Sequence, residues 1–289
     1  MISVLILTRN EEANLPASLE AVRWSDDIVV FDSYSTDRTV DIAKAAGARV
    51  IQRAFDNERD QRSASLRVAF KHPWIYNPDA DEITPPDLRD EMLAATSDPD
   101  RSEVAYRVRF KNMFMGKWIK RSSLYPTWVV RLFRPERISF ERSINLRYVV
   151  DGKVGRLQCH FEHHSFNQGL DPWLEKHRRY ALHEAEESIK SLARGGFEWR
   201  TLFSRQPVIR RRALKELSIR LPCRPTLRFL YMYLVRMGCF DGRAGLAYCR
   251  LLSAYERMIT RQVKQRQRRP LGLEIHGPRN SHPVHGARS

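Results

Sequence analysis

The hydrophobic pattern of the first fifty residues predicts strands alternating with helices. Residues 2–7 and 28–31 are continuous apolar runs with the β-rich composition of fully buried parallel strands, and residues 49–51 predict another short strand. Between them, helical spacing of apolar side chains predicts helices over residues 12–23 and 37–46. This order predicts a doubly wound α/β unit with right-handed crossovers.

Polar clusters follow three of the apolar runs. In such a sheet, ligands bind beyond the carboxyl ends of the strands, so these side chains are expected to converge on one edge. The cluster members are Thr8, Arg9, Asn10 and Glu11 after the first run, Asp32 after the second, and Asp79 and Asp81 after the run at residues 74–76.

Asp79 and Asp81 are two residues apart, so in an extended segment their side chains share one face. Two carboxylates held this close favour a cation between them. Oxygen ligands of this type suit Mg²⁺ or Mn²⁺, ions that also hold substrate phosphates. The pair therefore indicates a phosphate-bearing substrate, with a solvated Asp-rich turn as the alternative.

Charge is distributed unevenly along the chain. Of the formal net charge of +16, the whole surplus lies in residues 176–269, which contain 23 Lys and Arg against 7 Asp and Glu. Residues 1–175 are nearly neutral, with 25 against 26. This division predicts a chemical domain over residues 1–175 and a basic extension over 176–269 that meets an anionic partner. The Gly, Pro and His content of residues 270–289 predicts a disordered tail.

The extension is predicted to be helical and amphipathic. Arginines over residues 205–228 surround apolar positions, and the apolar run at residues 229–235 is too short to span a bilayer. This pattern fits a helix in the membrane interface, although a solvated basic face is equally compatible with it. The apolar run at residues 1–7 is shorter than expected for a secretory signal, and the cysteines form no CxxC pair. The expected location is therefore the cytoplasm, peripheral to the inner membrane.

Three ordered motifs identify a family resemblance. ISVLILTRNEEANL at residues 2–15, IVVFDSYSTDRT at 28–39 and WIYNPDADEI at 74–83 resemble the family 2 glycosyltransferases of the inverting GT-A fold. The most similar branch includes the lipopolysaccharide core β-1,4-glucosyltransferases, and the likeness extends over residues 1–175. It implies a GT-A-like doubly wound mixed sheet flanked by helices, with the basic helical extension following it.

The resemblance also implies roles for the strand-end residues. Thr8, Arg9, Asn10, Glu11 and Asp32 occupy the positions that hold the nucleoside, whereas Asp79 and Asp81 form the DxD-type motif for the metal and the diphosphate. His163 aligns with a histidine that completes the metal shell in some GT-A enzymes; a structural histidine is the alternative. The implied cofactor is Mg²⁺ or Mn²⁺, with Asp81 counted as catalytic as well as a ligand. Arg62 or Arg67 either helps the metal ion to neutralise the diphosphate or is simply a cation on the helix face.

An inverting transfer needs a carboxylate that takes the proton of the acceptor hydroxyl. The family places a Glu just before a stretch like that at residues 150–155, but here Leu146 stands at that position. Glu141 is the predicted base, with a surface ion pair as its alternative role. Glu82 or Asp151, a shifted alignment, or a loss of activity are the other interpretations.

The sequence thus predicts an inverting transferase that moves a hexose from a nucleotide sugar to a lipid-linked, lipopolysaccharide or polysaccharide acceptor at an anionic membrane surface. One alternative is a degenerate protein that binds the nucleotide sugar without turnover. The other is a nucleic-acid-binding protein that uses the basic third. Nucleic acid is not an expected partner, because no recognition module is present in the sequence.

Overall fold

The computed structural model describes residues 1–98, 100–141, 146–193, 198–221 and 223–268. Its strands are β1 (Ser3–Thr8), β2 (Ile28–Asp32), β3 (Arg49–Gln52), β4 (Ile75–Tyr76), β5 (Glu82–Ile83), β6 (Glu103–Phe114), β7 (Lys117–Trp118), β8 (Trp128–Phe133), β9 (Ile138–Glu141), β10 (Arg147–Val150) and β11 (Lys153–His163). Its α-helices are α1 (Leu15–Val22), α2 (Thr39–Ala45), α3 (Glu58–Ser65), α4 (Pro86–Ser97), α5 (Leu170–Ala193), α6 (Pro207–Arg220), α7 (Arg224–Leu230) and α8 (Gly242–Arg268).

The first three strands form the parallel half of a mixed sheet, as the apolar runs predict. The order across the sheet is β3-β2-β1-β4-β8-β6-β11-β5, and β7 pairs with β6 at one end. β1 lies between β2 and β4 and is parallel to both, with Thr8 opposite Asp32. The runs at residues 2–7 and 28–31 are buried almost throughout because helices cover both faces of a parallel sheet, whereas β3, at the edge of the sheet, is partly exposed. The two predicted helices are present as α1 and α2 but are shorter than expected. Helix α3 ends at Ser65, and Leu66, Val68 and Phe70 after it pack against the core.

The second half of the sheet mixes strand directions. β8 is antiparallel to both β4 and β6, whereas β6 and β11 run parallel. β5 pairs antiparallel with the end of β11, and this register sets His163 opposite Glu82. The pairing of β5 with β11 therefore places His163 beside the residues that follow β4.

Two compact units divide the chain, with boundaries that differ from the predicted ones. The first consists of Met1–His177 together with Pro225–Ala254, and the second contains Arg178–Arg224 and the described residues from Tyr255 onward. Residues 225–254 therefore pack with the sheet, although the charge distribution assigned them to the extension. The physical reason is local: Ala244 is buried in a cluster with Phe114 and Ile119. The predicted tail at residues 270–289 lies outside the described residues.

The second unit contains internal ion pairs as well as exposed cations. Arg224 contacts Glu256 at 2.9 Å with both side chains mostly buried, and Arg266 contacts Glu186 at 2.8 Å. Some of the arginines that give this region its positive charge therefore form ion pairs inside the second unit. In the described part of the chain, every helix is too short or too polar to cross a bilayer.

Candidate active site

The ends of β1 and β2 hold a buried carboxylate in a fixed orientation. Asp32 is fully buried and accepts hydrogen bonds from the Thr8 hydroxyl at 2.9 Å, the Ser35 amide at 2.9 Å and the Gln52 amide group at 3.0 Å. Burial alone raises the pKa of Asp32, but the hydrogen bonds from Ser35, Gln52 and Thr8 outweigh it and lower the pKa below its usual range. Asp32 is therefore charged at neutral pH, and the nucleoside role that the resemblance implies for it stays a prediction.

The loop after β1 is folded against the loop after β2. Asn10 has a left-handed backbone with φ of 55°, donates its amide to Ser35 at 2.8 Å and accepts the Thr36 amide at 2.8 Å. Asparagine tolerates this conformation better than most residues do. Arg9 is exposed, with its guanidinium 5.9 Å from the centre of the Phe55 ring. The two loops thus form one rim at the carboxyl edge of the parallel strands.

Glu11 connects this rim to the DxD motif electrostatically. Its carboxylate accepts a hydrogen bond from Asn14 at 2.8 Å and another from Gln168 at 3.0 Å. Burial raises the pKa of Glu11, and the negative charges of Asp81 and Asp79 add to the rise. The carboxylates of Glu11, Asp79 and Asp81 thus make the electrostatic potential at this edge negative, which favours a bound cation.

Asp79 is held by two arginines. It forms a parallel bridge with Leu7 of β1, which places it at the same edge as Asp32. Arg62 of α3 bonds to one carboxylate oxygen at 2.9 Å, and Arg131 of β8 bonds to the other. Burial alone raises the pKa of Asp79, but Arg131 and Arg62 hold it well below its usual range. Arg62 is therefore more than a helix-face cation, because its buried guanidinium fixes the first carboxylate of the motif.

Arg131 also binds Glu82, which makes a buried network behind the motif. The side chain of Glu82 is 3% exposed, and its second oxygen accepts the Asp79 amide at 3.1 Å. Burial and the neighbouring Asp79 charge raise the pKa of Glu82 to about 7, although Arg131 opposes the rise. Arg62 is further bonded to Asn77 at 3.0 Å, and Asn77 to the Leu5 carbonyl at 2.6 Å. The network ties the motif to β1 and β8.

Asp81 faces His163. The carboxylate lies 3.3 Å from Nε2 of His163, and Nδ1 of the same ring is 2.9 Å from the side-chain oxygen of Asn112. Burial alone lowers the pKa of His163, but the hydrogen bond and the charge of Asp81 raise it above its usual value. Both side chains are about one quarter exposed, so a ligand can reach them.

The donor set fits a divalent metal ion in part. Asp81 and His163 offer one carboxylate and one imidazole side by side, and Asn112 orients the ring through its other nitrogen, as the hydrogen-bond partners of ligating histidines do in metal sites. Asp79 bonds to Arg62 through one oxygen and to Arg131 through the other, and its side chain is 36% exposed, so its role as a metal ligand stays a prediction. Among the described residues no group of three His, Cys, Asp or Glu is arranged to hold a metal ion. The pair suits an ion that takes its remaining ligands from substrate phosphates and water.

Glu141 ends β9 in a separate two-stranded ribbon. It stands opposite Arg147 of β10, with 3.7 Å between their charged groups, and both side chains are more than half exposed. The ribbon packs against α3, and the Tyr148 ring lies 5.9 Å from the Arg62 guanidinium. Glu141 is thus accessible on an element anchored to the DxD network. Leu146 is described, whereas residues 142–145 just before it are not.

Two residues of the site were not predicted from the sequence. Arg131 is a lone cation within an otherwise apolar strand, a pattern that indicates a buried carboxylate partner without revealing which one. Asn112 sits at the end of a long strand of mixed polarity, and nothing in the local sequence sets it apart.

Comparisons with known proteins find glycosyltransferases. The model of glycosyl transferase family 2 matches residues 3–164, more than half of the chain. An uncharacterized glycosyltransferase of Rickettsia typhi is 33% identical over 147 residues, 50% of each chain, so this chain spans about half the length of that relative. The lipopolysaccharide core biosynthesis glycosyltransferase LpsC of Rhizobium meliloti is 26% identical over 206 residues, 68% of this chain and 74% of LpsC.

Among solved structures, a mannosyltransferase from Pyrobaculum calidifontis in complex with GDP-Man and Mn²⁺ has the same fold. It matches 92% of this chain and 87% of its own with a TM-score of 0.50 and 14% identity. The predicted GT-A-like mixed sheet is therefore confirmed.

Proposed function

The chain belongs to glycosyl transferase family 2, and from this premise we propose that it transfers a hexose, with inversion, from a nucleotide sugar to an acceptor hydroxyl. The observation that supports the proposal most is the pairing of Asp81 with His163 at the sheet edge that also carries the buried Asp32. These groups come from β2, β11 and the segment after β4, and they meet at the one edge where open α/β sheets bind ligands.

Each residue then has a separate task. Asp32 is fully buried and bonded through both oxygens, so it fixes the ends of β1 and β2, and the rim from Thr8 to Glu11 that it supports contacts the nucleoside. Asp81 and His163 hold the Mg²⁺ or Mn²⁺ ion, and a bound ion supplies charge neutralisation for the departing diphosphate. Asp79, fixed by Arg62 and Arg131, keeps the turn between β4 and β5 in place.

Glu141 is our proposed base for the acceptor hydroxyl. Its carboxylate is exposed, whereas that of Glu82 is 3% exposed and bonded to Arg131, so an acceptor can reach only the first of these two. Asp151 is exposed, forms an ion pair with Arg137 at 3.0 Å and is the alternative base. Glu141→Gln is expected to lower kcat by about 10²-fold or more while nucleotide binding is unchanged. An unchanged kcat would move the role to Asp151.

The acceptor is proposed to be lipid-linked, a lipopolysaccharide core or a related polysaccharide, with the protein at the cytoplasmic face of the inner membrane. The likeness to LpsC over about two thirds of the chain supports this choice. The other candidate, a protein that binds the nucleotide sugar without transfer, is favoured by one observation: Leu146 stands where the family's Glu is expected.

A thermal-shift screen with UDP-, GDP- and dTDP-sugars tests the proposal, with Mn²⁺, Mg²⁺ or EDTA present. A ligand at about 100 times its Kd adds about 2.7 kcal/mol of stability, which is enough to detect. We expect one nucleotide to raise Tm only with metal, and Asp81→Asn to abolish the shift. Asp151→Asn, an exposed carboxylate outside the proposed metal pair, is the matched control for donor binding and should keep the shift. No shift with any donor would overturn the proposal.

A further inference from the structure

The segment at residues 227–243 exposes large apolar side chains on the unit that contains the active site. Helix α7 passes into a π-helical turn at Tyr231–Val235 and a 3-10 turn at Gly238–Asp241 before α8 begins. Val235 is 70% exposed and Phe240 71%, and further exposed members are Leu227, Leu230, Tyr231, Leu234 and Met237. Soluble proteins seldom expose so many large apolar groups together unless the surface binds something.

The opposite side of the same segment is firmly packed. Met232 and Gly238 are buried, and a Cβ added at Gly238 would lie 2.7 Å from the Met232 carbonyl oxygen and 3.2 Å from the Ser122 Cβ. Asp241 fastens the segment to the loop after β7, because one of its oxygens accepts bonds from the Arg121 amide, the Ser122 amide and the Ser122 hydroxyl at 2.9, 2.7 and 2.6 Å. The exposed apolar side chains therefore stand on a fixed base.

Cations border this apolar surface. The Arg121 guanidinium lies 5.1 Å from the centre of the Phe240 ring and 3.0 Å from the Met237 sulfur. Arg236 and Arg243 are exposed on the segment itself, and Lys117 and Lys120 are exposed on the adjoining loop. In residues 115–128 and 225–255 the only acidic residue is Asp241, whose carboxylate is engaged by the loop. The surface is therefore cationic as well as apolar.

The surface is connected directly to the active-site edge. Ile119 donates its amide to the Asn112 carbonyl at 3.0 Å, and the Asn112 side chain bonds to His163. Phe114 and Ile119 also form the cluster on which the start of α8 packs. The end of β6 therefore carries both the residues that anchor this surface and the residue that orients His163.

We propose that residues 227–243, with the loop at 115–124, form a docking surface for an anionic phospholipid bilayer. Apolar side chains enter the boundary between headgroups and acyl chains, and the surrounding Arg and Lys side chains meet anionic headgroups. Charge complementarity selects this partner over a neutral apolar protein face. The inference deepens the proposed function, on which its biological purpose rests, because a lipid-linked acceptor would reach the active site from this surface.

Co-flotation of the full-length protein with vesicles tests the surface. One set contains phosphatidylcholine alone and the other about one third phosphatidylglycerol, each at low and high salt. We expect binding to the anionic vesicles that weakens with salt, and much weaker binding to the neutral ones. Val235→Ser/Phe240→Ser should reduce the bound fraction at least about tenfold through lost apolar burial. Arg236→Glu/Arg243→Glu should remove the salt dependence together with most of the binding.

The matched control is Phe203→Ser, an aromatic side chain 85% exposed in the other unit. It should leave flotation unchanged. All variants should retain the wild-type Tm, since the substituted side chains are exposed. Absence of vesicle binding in the folded wild-type protein would overturn the inference. So would sedimentation velocity showing a dimer that the same substitutions dissociate, because a second copy would then be the occupant.

Failure of the surface and failure of the proposed function give different results. The metal-dependent nucleotide shift of Tm is measured on the same variants without vesicles and is expected to be unchanged. Vesicle binding without any nucleotide shift would remove the transferase proposal and leave the surface in place. A nucleotide-dependent shift of Tm without vesicle binding would remove the docking surface and leave the transferase proposal in place.

Discussion

Replacing Arg131 with methionine tests the buried network behind the DxD motif. The Arg131 side chain is 8% exposed and binds Glu82, which is 3% exposed, as well as Asp79. Methionine fills a similar volume but leaves a buried carboxylate without its counter-ion. Breaking a buried pair in this way costs about 3–5 kcal/mol of unfolding free energy.

The assay is urea unfolding followed by tryptophan fluorescence, with the midpoint and m-value compared between variants. Arg137→Met is the control, because Arg137 pairs with Asp151 at 3.0 Å on the surface, where such a pair is worth at most about 1 kcal/mol. Arg131→Met/Glu82→Leu should recover part of the loss, since the unpaired charge is then gone. Equal destabilisation by Arg131→Met and Arg137→Met would refute the reasoning.

The loss should also depend on pH. The pKa of Glu82 is raised to about 7, and without Arg131 it rises further, so the carboxyl is neutral at low pH. A buried neutral carboxyl costs less than a buried charge. The destabilisation of Arg131→Met is therefore expected to be smaller at pH 5 than at pH 8. A loss that does not vary over this range would show that Glu82 keeps the same protonation state in the variant.

Two further predictions concern stability away from the site. Burial alone raises the pKa of Asp27, but hydrogen bonds from Ser3, Lys71 and Arg49 outweigh it and lower the pKa, so Asp27→Asn should destabilise the protein at pH 7. The charged Asp27 stabilises the fold above the unfolded-state pKa, and this contribution is lost as pH falls through the lower folded-state pKa. In urea unfolding at different pH values, the difference in unfolding free energy between wild type and Asp27→Asn should therefore shrink below about pH 4. A difference that stays constant with pH would contradict this. Gly245→Ala would place a Cβ 2.3 Å from the Gly238 carbonyl oxygen, so a loss of about 1–3 kcal/mol is expected in the same assay, and wild-type stability would contradict the close packing of α8.

The parallel half of the sheet could be predicted because its signals are local. The apolar runs ending at Thr8 and Asp32 identify buried strands, and the rule that ligands bind at strand carboxyl ends then groups the polar residues that follow. The same rule places Asp79 at this edge, where its bridge to Leu7 lies. These inferences need only the order of elements along the chain.

The network around Asp79 could not be predicted, since its partners are distant in sequence. Arg131 is 52 residues away from Asp79, and its guanidinium reaches the site because β8 pairs antiparallel with β4. The two compact units also divide the chain at other positions than the charge distribution does, for a related reason. Charge counts describe composition, whereas residues 225–254 join the first unit through a few buried contacts, such as Ala244 with Phe114.

Mn²⁺ binding in the presence of the stabilising nucleoside diphosphate tests the central claim most directly. Electron paramagnetic resonance follows the free Mn²⁺ signal during titration of the wild-type protein, Asp81→Asn and His163→Gln. If Asp81 and His163 hold the ion, the wild type binds one Mn²⁺ per chain and each variant weakens binding about tenfold or more, equivalent to about 1.4 kcal/mol. Wild-type affinity in both variants would contradict the account, because the ion would then be held elsewhere.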